Sequence, residues 1–354
     1  MKIAILSLYS RIGGLTGDCV QANKTADALV SIGEDVLRCY LRPEDGCVYD
    51  GSAQKLGTWV EVMGDMDVVH AMVPSRFLRR VPKVRALYVC YTVFWKSWSC
   101  TKVNVWNNRR VAVSDIKDLI RIVFSKLGIR TYGFFKDYDV LLPNSEDEIC
   151  CVKRFCPVKK GARFVEVPNA IDDLPSNIES LGRALETPAS DYIVVPAFFA
   201  PRKNQLSLIK AMKDVSYPMV FMGDGPMLAR CKSVAGENCT FLGAVAHGSD
   251  LFWRVLRHAR VVCLPSNCET PGIAGLEAAA VGARPVVPYE GGTAQYYGWD
   301  AEYLDPTSMS SIRSAVLKAW DRGRLDVDSA RRYQRCTWNQ VARTLVAVYR
   351  EILA

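Results

Sequence analysis

The sequence has no apolar run near the ~20 residues that a membrane-spanning helix needs; its longest candidate, Ala86–Trp95, is the size of a strand. Histidine is scarce, at three residues, and Cys150, Cys151 and Cys156 make no C-x-x-C pair, so zinc binding has little to build on. No short-period repeat or low-complexity tract occurs. At 49% hydrophobic and 23% charged residues, the composition excludes a disordered, collagenous or coiled-coil chain. The Ser10–Asp18 loop contains no G-x-G-x-x-G, which counts against a dinucleotide-dependent dehydrogenase.

Cysteine, by contrast, is plentiful. Thirteen residues at irregular spacing, in a chain of 354 with room for a real core, read as reduced core thiols and not as a disulfide framework. The apolar start Met1–Leu8 leads into Gly13-Gly14 and not into a small-residue cleavage site, so it reads as a first strand. A cytoplasmic location is expected from both features. The length predicts two domains of roughly 150–200 residues each.

The formal net charge of +8 is unevenly spread. Residues 1–165 hold 25 Lys/Arg against 17 Asp/Glu, whereas residues 166–354 balance at 20 and 20. No acid occurs between Asp67 and Asp115, yet Arg76, Arg79, Arg80, Lys83, Arg85, Lys96, Lys102, Arg109 and Arg110 do, with Phe77, Tyr88, Tyr91, Phe94, Trp95, Trp98 and Trp106 among them. A basic and aromatic stretch suits an anionic membrane surface or a nucleic acid; a solvated face beside a buried strand is the plainer reading.

Short apolar runs alternate with helix-like segments along the whole chain. Strands are predicted at Lys2–Ser7, Asp35–Tyr40, Asp67–Ala71, Ala86–Val93 and Val140–Pro143, and again at Tyr192–Pro196, Met219–Met222, Thr240–Leu242, Arg260–Pro265 and Arg284–Pro288. Thr16 or Asp18 can cap the first helix, Gly33 ends it, and an amphipathic helix closes the chain from about Trp338 to Ile352. This rhythm predicts an α/β fold of two similar domains: residues 1–170, a linker over 171–190, residues 191–335, and a C-terminal helix over 336–354 that can pack back on the first domain.

Open α/β sheets bind ligands at the carboxyl ends of their strands, and phosphates at helix N-termini. The most informative segment is therefore Pro265-Ser266-Asn267-Cys268-Glu269-Thr270-Pro271-Gly272-Ile273-Ala274-Gly275-Leu276-Glu277-Ala278, where a strand ends and a helix begins. Gly272 permits close approach of a ligand, and the amides of Gly272, Ile273 and Ala274 offer an anion site. Glu269 precedes the helix and Glu277 lies in its second turn, so the two face different parts of one extended ligand. Two surface glutamates around a helix start are the plainer alternative. His70 reads as a packed strand-end residue, and His247 and His258 as loop and helix residues.

Glu269 and Glu277 form an E-x(7)-E pattern that resembles retaining GT-B-fold glycosyltransferases of glycosyltransferase family 4. Further elements resemble that family in its order: the Gly13-Gly14 loop, Asp67-Val68-Val69-His70, Asn144-Ser145, Val167-Pro168-Asn169-Ala170-Ile171-Asp172, Lys203-Asn204-Gln205, Gly223-Asp224-Gly225-Pro226, Phe241-Leu242-Gly243 and Gly291-Gly292. The resemblance implies two Rossmann-like domains facing each other across a cleft, the second binding a UDP- or GDP-sugar donor and the first the acceptor. By carry-over Lys203 contacts the donor pyrophosphate with Arg202 beside it, Glu277 the ribose and Glu269 the transferred sugar. The Gly272 and Ile273 amides lie near the distal phosphate, and Gly13, Gly14 and Gly223 line the substrates.

The implied activity is metal-independent hexosyl transfer with retention, needing no cofactor, to a glycan, lipid-linked or other acceptor hydroxyl. Two positions depart from the family. Phe198 stands where an arginine is common, and Phe94 or Trp95 where a histidine is common. A catalytically weak nucleotide- or glycan-binding protein, or an epimerase or phosphorylase of the same fold, therefore stays open. Because the charge surplus falls in the first domain, an anionic or membrane-presented acceptor is expected, with peripheral membrane contact through residues 76–110 and no nucleic acid.

Overall fold

The first half forms the parallel strands β1 (Lys2–Leu8), β2 (Asp35–Arg42), β5 (Val68–Ala71), β6 (Leu87–Tyr91), β7 (Val140–Leu142) and β8 (Arg163–Phe164), of which β1, β5, β6 and β7 are the largely buried ones. The computed structural model describes residues 1–12, 17–92, 94–97, 101–103, 105, 113–189 and 191–354, with only the backbone at 17, 18, 113 and 114. It divides into two units: Met1–Lys96 with Ile120–Ala170 and Thr337–Ala354, and Ser97–Leu119 with Ile171–Cys336. Relative to the sequence reading, the segment 97–119 groups with the second unit and the closing helix with the first.

The first unit is one eight-stranded sheet in the order β4-β3-β2-β1-β5-β6-β7-β8, where β3 is Cys47–Tyr49 and β4 is Lys55–Thr58. The antiparallel strands β3 and β4 at its edge were not legible in the sequence: both are short, and β4 is largely exposed. Strands buried on both faces carry apolar runs, unbroken in Val140–Leu142 and interrupted only by His70 in Val68–Ala71. Tyr138 and Trp59 fill the core between sheet and helices. The helix Gly17–Ser31 packs against the closing helix Trp338–Leu353. That helix buries Trp338, Val341, Leu345 and Tyr349 at helical spacing, and ion pairs Arg350–Glu34 (3.0 Å) and Arg163–Glu351 (2.9 Å) tie its end to the unit.

The second unit is a six-stranded, fully parallel sheet in the order β11-β10-β9-β12-β13-β14. Its strands are β9 (Ile193–Pro196), β10 (Met219–Met222), β11 (Cys239–Gly243), β12 (Val261–Cys263), β13 (Arg284–Pro288) and β14 (Glu302–Leu304). Chain order reverses between β9 and β12, which opens a crevice at their carboxyl ends. The matching reversal in the first unit lies between β1 and β5. No disulfide forms among the described cysteines, and no helix among the described residues is long and apolar enough to cross a membrane.

Candidate active site

The second unit brings Lys203 and Glu269 together at its strand-order reversal. Past β9, the 3-10 turn Pro201–Lys203 ends at Asn204, whose backbone adopts a left-handed φ of 58°. Asparagine tolerates that conformation, and its buried side-chain amide donates to the carbonyls of Pro265 (3.1 Å) and Pro306 (2.9 Å). The Asn267 N–H donates to the Arg202 carbonyl at 2.9 Å. The loops after β9 and β12 are thus stitched to each other, and Lys203 Nζ reaches Glu269 Oε1 at 2.5 Å. The Ser266 hydroxyl donates to the same oxygen.

Glu269 is buried, and that alone would raise its pKa. The Lys203 ammonium, the Ser266 hydroxyl and the Arg202 guanidinium outweigh burial and hold the carboxyl below its ordinary range. It is therefore an ionised acceptor at neutral pH, already matched to a cation. The helix Ile273–Ala280 starts beside it, with Gly272 as its cap at φ 89°. A Cβ on Gly272 would stand 3.2 Å from Glu269 Oε2 and 2.8 Å from Leu264 Cδ1, so only glycine lets the chain turn this close to the carboxylate. Ile273 and Ala274 are the first helical residues, and Pro271 lies just ahead of the helix. Gly223 follows β10, and its N–H donates to the Gly243 carbonyl at 2.7 Å.

Glu277 is fully buried in the same helix, and its Oε1 lies 2.8 Å from His247 Nε2. The other ring nitrogen of His247 is 3.8 Å from Asp172 Oδ2. Sequence reasoning passed over His247. Its one available signal was its place four residues past the carboxyl end of β11, in the loop that follows Phe241-Leu242-Gly243. Asp172, His247 and Glu277 each offer a ligand atom within 4.8 Å of the others, the chemistry of a divalent cation site. Their ring geometry favours a different use, because Nε2 faces one carboxylate and Nδ1 the other, so the imidazole bridges the two.

The first unit carries its own crevice at its strand-order reversal. A cavity of about 220 Å³ is lined by Ser7, Leu8, Met72, Arg11 and Arg76, which places two guanidinium groups at the ends of β1 and β5. Gly13 and Gly14, expected beside it, lie outside the described residues. His70 is buried, with Nδ1 against the Tyr349 hydroxyl and its ring 4.5 Å from that of Tyr91. Burial pulls its pKa down to about 3, so it is a neutral core residue.

The basic–aromatic stretch divides on inspection. Tyr91 and Phe94 are core residues, and Trp95 packs against that core. Phe94, which with Trp95 is one of the two residues set against the family's common histidine, sits among Tyr132, Phe134 and Phe135 with ring centroids 5.4–6.0 Å away. The described aromatics are thus largely taken up by the core, while Trp98, Trp106, Arg109 and Arg110 lie outside the described residues. Phe198, at the position of the common arginine, is half exposed.

Two sheets of this topology, with a paired cation and carboxylate at the reversal of the second, define the class as a two-domain α/β protein of the GT-B fold. Residues 190–321 match the family described as "Glycosyl transferases group 1". No curated protein matches the chain by sequence. Among solved structures, it is similar to a sucrose-phosphate synthase from Thermosynechococcus elongatus, with TM-score 0.72, 16% identity and 99% of both chains covered. It is likewise similar to Anabaena HepE in complex with UDP and glucose, with TM-score 0.65, 14% identity, and 99% of this chain and 100% of that one covered. WaaG, a glycosyltransferase involved in lipopolysaccharide biosynthesis, matches at TM-score 0.58 and 13% identity over 99% and 98% of the two chains.

Proposed function

We propose that this protein moves a sugar from a UDP- or GDP-linked donor to a hydroxyl of an anionic glycan or lipid-linked acceptor, with retention and without a metal. The observation that carries this reading is the buried Lys203–Glu269 pair at the β9/β12 reversal, beside the start of the Ile273–Ala280 helix. When the bond from the sugar C1 to the donor phosphate breaks, the leaving diphosphate gains charge. The Lys203 ammonium, Arg202 and the amides of Gly272, Ile273 and Ala274 then stabilise it more than they do the intact donor, which lowers the barrier. Glu269 accepts hydrogen bonds from sugar hydroxyls, and Glu277 accepts them from the ribose.

The acceptor oxygen forms the new bond to C1 on the face the phosphate leaves. Its proton passes to the departing phosphate oxygen, so no protein base is needed. The glutamates are not a hydrolase pair, because that chemistry needs carboxylates on opposite sides of the bond. HepE, bound to UDP and glucose, supports a nucleotide-sugar donor. Arg11 and Arg76 at the first unit's crevice support an acceptor that carries negative charge.

Thermal stabilisation by UDP compared with GDP, followed by transfer from radiolabelled nucleotide sugars, tests the reading. Turnover of at least one donor, lost in Glu269→Ala, is the expected result. Phe198 and Phe94 favour a second reading, a nucleotide-binding protein that no longer transfers. It prevails when no donor is turned over and Glu269→Ala binds nucleotide as well as the parent does.

A further inference from the structure

Helix Val113–Lys126 and the turn after it present an apolar face to solvent. Seventeen large hydrophobic side chains are exposed among the described residues, and six of them fall here: Ile116, Ile120, Val123, Phe124, Leu127 and Ile129. The first five recur at helical spacing and so form a single stripe. Leu127 is 70% exposed and Val123 54%, so each leaves more than half its surface to solvent. The opposite face is well used: Ile122 packs into the core and Ser125 is buried. A contiguous apolar stripe of this size on a folded protein marks a docking surface and not a packing accident.

The charges beside the stripe identify what it docks on. Lys117, Lys126 and Arg130 are exposed within the same segment. Arg121 lies over the Tyr132 ring, its guanidinium carbon 4.6 Å from the centroid. The segment's two carboxylates are turned away, with Asp115 buried and Asp118 half-buried. Apolar side chains edged by cations, in a helix of fourteen residues that is too short to span, match a helix lying flat in the headgroup layer. Long basic side chains there keep their heads among anionic phosphates while their stems lie on the acyl boundary.

We propose that residues 116–130 form an in-plane docking surface for an anionic lipid bilayer. This moves the expected membrane contact from residues 76–110, whose described aromatics are largely core, to the helix that follows them. The inference goes beyond the sugar-transfer reading and does not depend on it, since partition to lipid needs neither donor nor acceptor.

The test is sedimentation of the full chain with vesicles of phosphatidylcholine alone, or of phosphatidylcholine with phosphatidylglycerol. Binding is expected on the phosphatidylglycerol vesicles, weakened by salt but not abolished by it, because the apolar part is not screened. The double variant Val123→Glu, Leu127→Glu should lower partition by about tenfold or more. Lys126→Glu with Arg130→Glu should lower it on anionic vesicles only. All four side chains are exposed, so circular-dichroism melts of both variants should match the parent. Absence of binding to either vesicle overturns the proposal, as does binding unchanged by Val123→Glu, Leu127→Glu. A concentration-dependent dimer in the ultracentrifuge, lost in that variant and accompanied by no vesicle binding, would make the stripe an interface between copies. Loss of the UDP-induced thermal shift with vesicle partition intact would strike the transfer reading and leave this one standing.

Discussion

Each unit buries a glutamate past the carboxyl end of a parallel strand, and the two carboxylates behave in opposite ways. Glu269, in the second unit, faces Lys203 and is held below the ordinary carboxylate range. Glu148, in the first, accepts the N–H groups of Phe94 (2.6 Å) and Asn144 (2.8 Å), and burial pushes it up to about 8. Glu148 ties the segment after β6 to the turn between β7 and the helix Glu146–Phe155. Its partners are backbone groups that cannot move away, so it is a structural fastener. The partner of Glu269 is a flexible ammonium that can exchange a carboxylate for a phosphate. Burial alone does not mark a functional carboxylate; the mobility of its counter-charge does.

The comparison breaks most visibly if Lys203 is removed. Lys203→Ala should cut transfer by about 10²–10³-fold through loss of a charge-stabilising group. It should also lower stability by roughly 3 kcal/mol, because Glu269 is left buried without its cation. Lys203→Ala with Glu269→Gln should recover much of the stability and none of the activity. Transfer rates within threefold of the parent would remove Lys203 from the mechanism. Next in size is Glu148→Ala, which orphans two backbone donors and should cost about 2–4 kcal/mol in urea unfolding. Nucleotide affinity should stay at the parental value, and a change in it would erase the distinction between fastener and site.

A pH series separates the two glutamates further. The folded pKa of Glu148 stands above its ordinary 4.5, so the folded state holds the extra proton, and this group's contribution to stability is lost as pH rises from about 4.5 through about 8. Glu269 is shifted the other way: its contribution is present above the ordinary value and lost as pH falls through the lowered one. Unfolding free energies of the parent and Glu148→Gln should diverge between those limits, with the parent falling relative to the variant as pH rises. Parallel curves would return Glu148 to an ordinary carboxylate. The smallest effect is expected from His247→Ala, which releases Glu277 from its imidazole and should weaken donor binding by about fivefold, the worth of one hydrogen bond. A rise in the donor KM with kcat nearly unchanged is the expected pattern; an equal fall in kcat would place His247 in the chemistry.

Much of the fold could be read directly because buried parallel strands leave unbroken apolar runs: β1, β10 and β13 fall within a residue of their expected limits. Glu269 was legible through the rule that ligands meet such sheets at the carboxyl ends of their strands, and Lys203 only through the family resemblance; their encounter, 66 residues apart in the chain, was not read. His247 was not, since nothing local distinguishes a histidine in a loop until Glu277 arrives 30 residues later. Glu148 stayed hidden for a related reason. Within Glu146-Asp147-Glu148 all three acids look like the polar start of a helix, and only tertiary packing buries the third. The stripe over residues 116–130 went unread because amphipathicity reveals two faces without saying which one the core takes.

The closing helix Trp338–Leu353 has a consequence for the order in which the protein can be completed. It covers the helix Gly17–Ser31 of the first unit, yet the ribosome makes it after all of Ile171–Cys336. At ~5–20 residues per second, the stretch of chain made after Ala170 takes on the order of 10–40 s, and the first unit waits through it with that helix face bare. The second unit needs no such delayed piece. Nascent chains should therefore acquire protease resistance out of sequence, with the later-made unit protected before the earlier one.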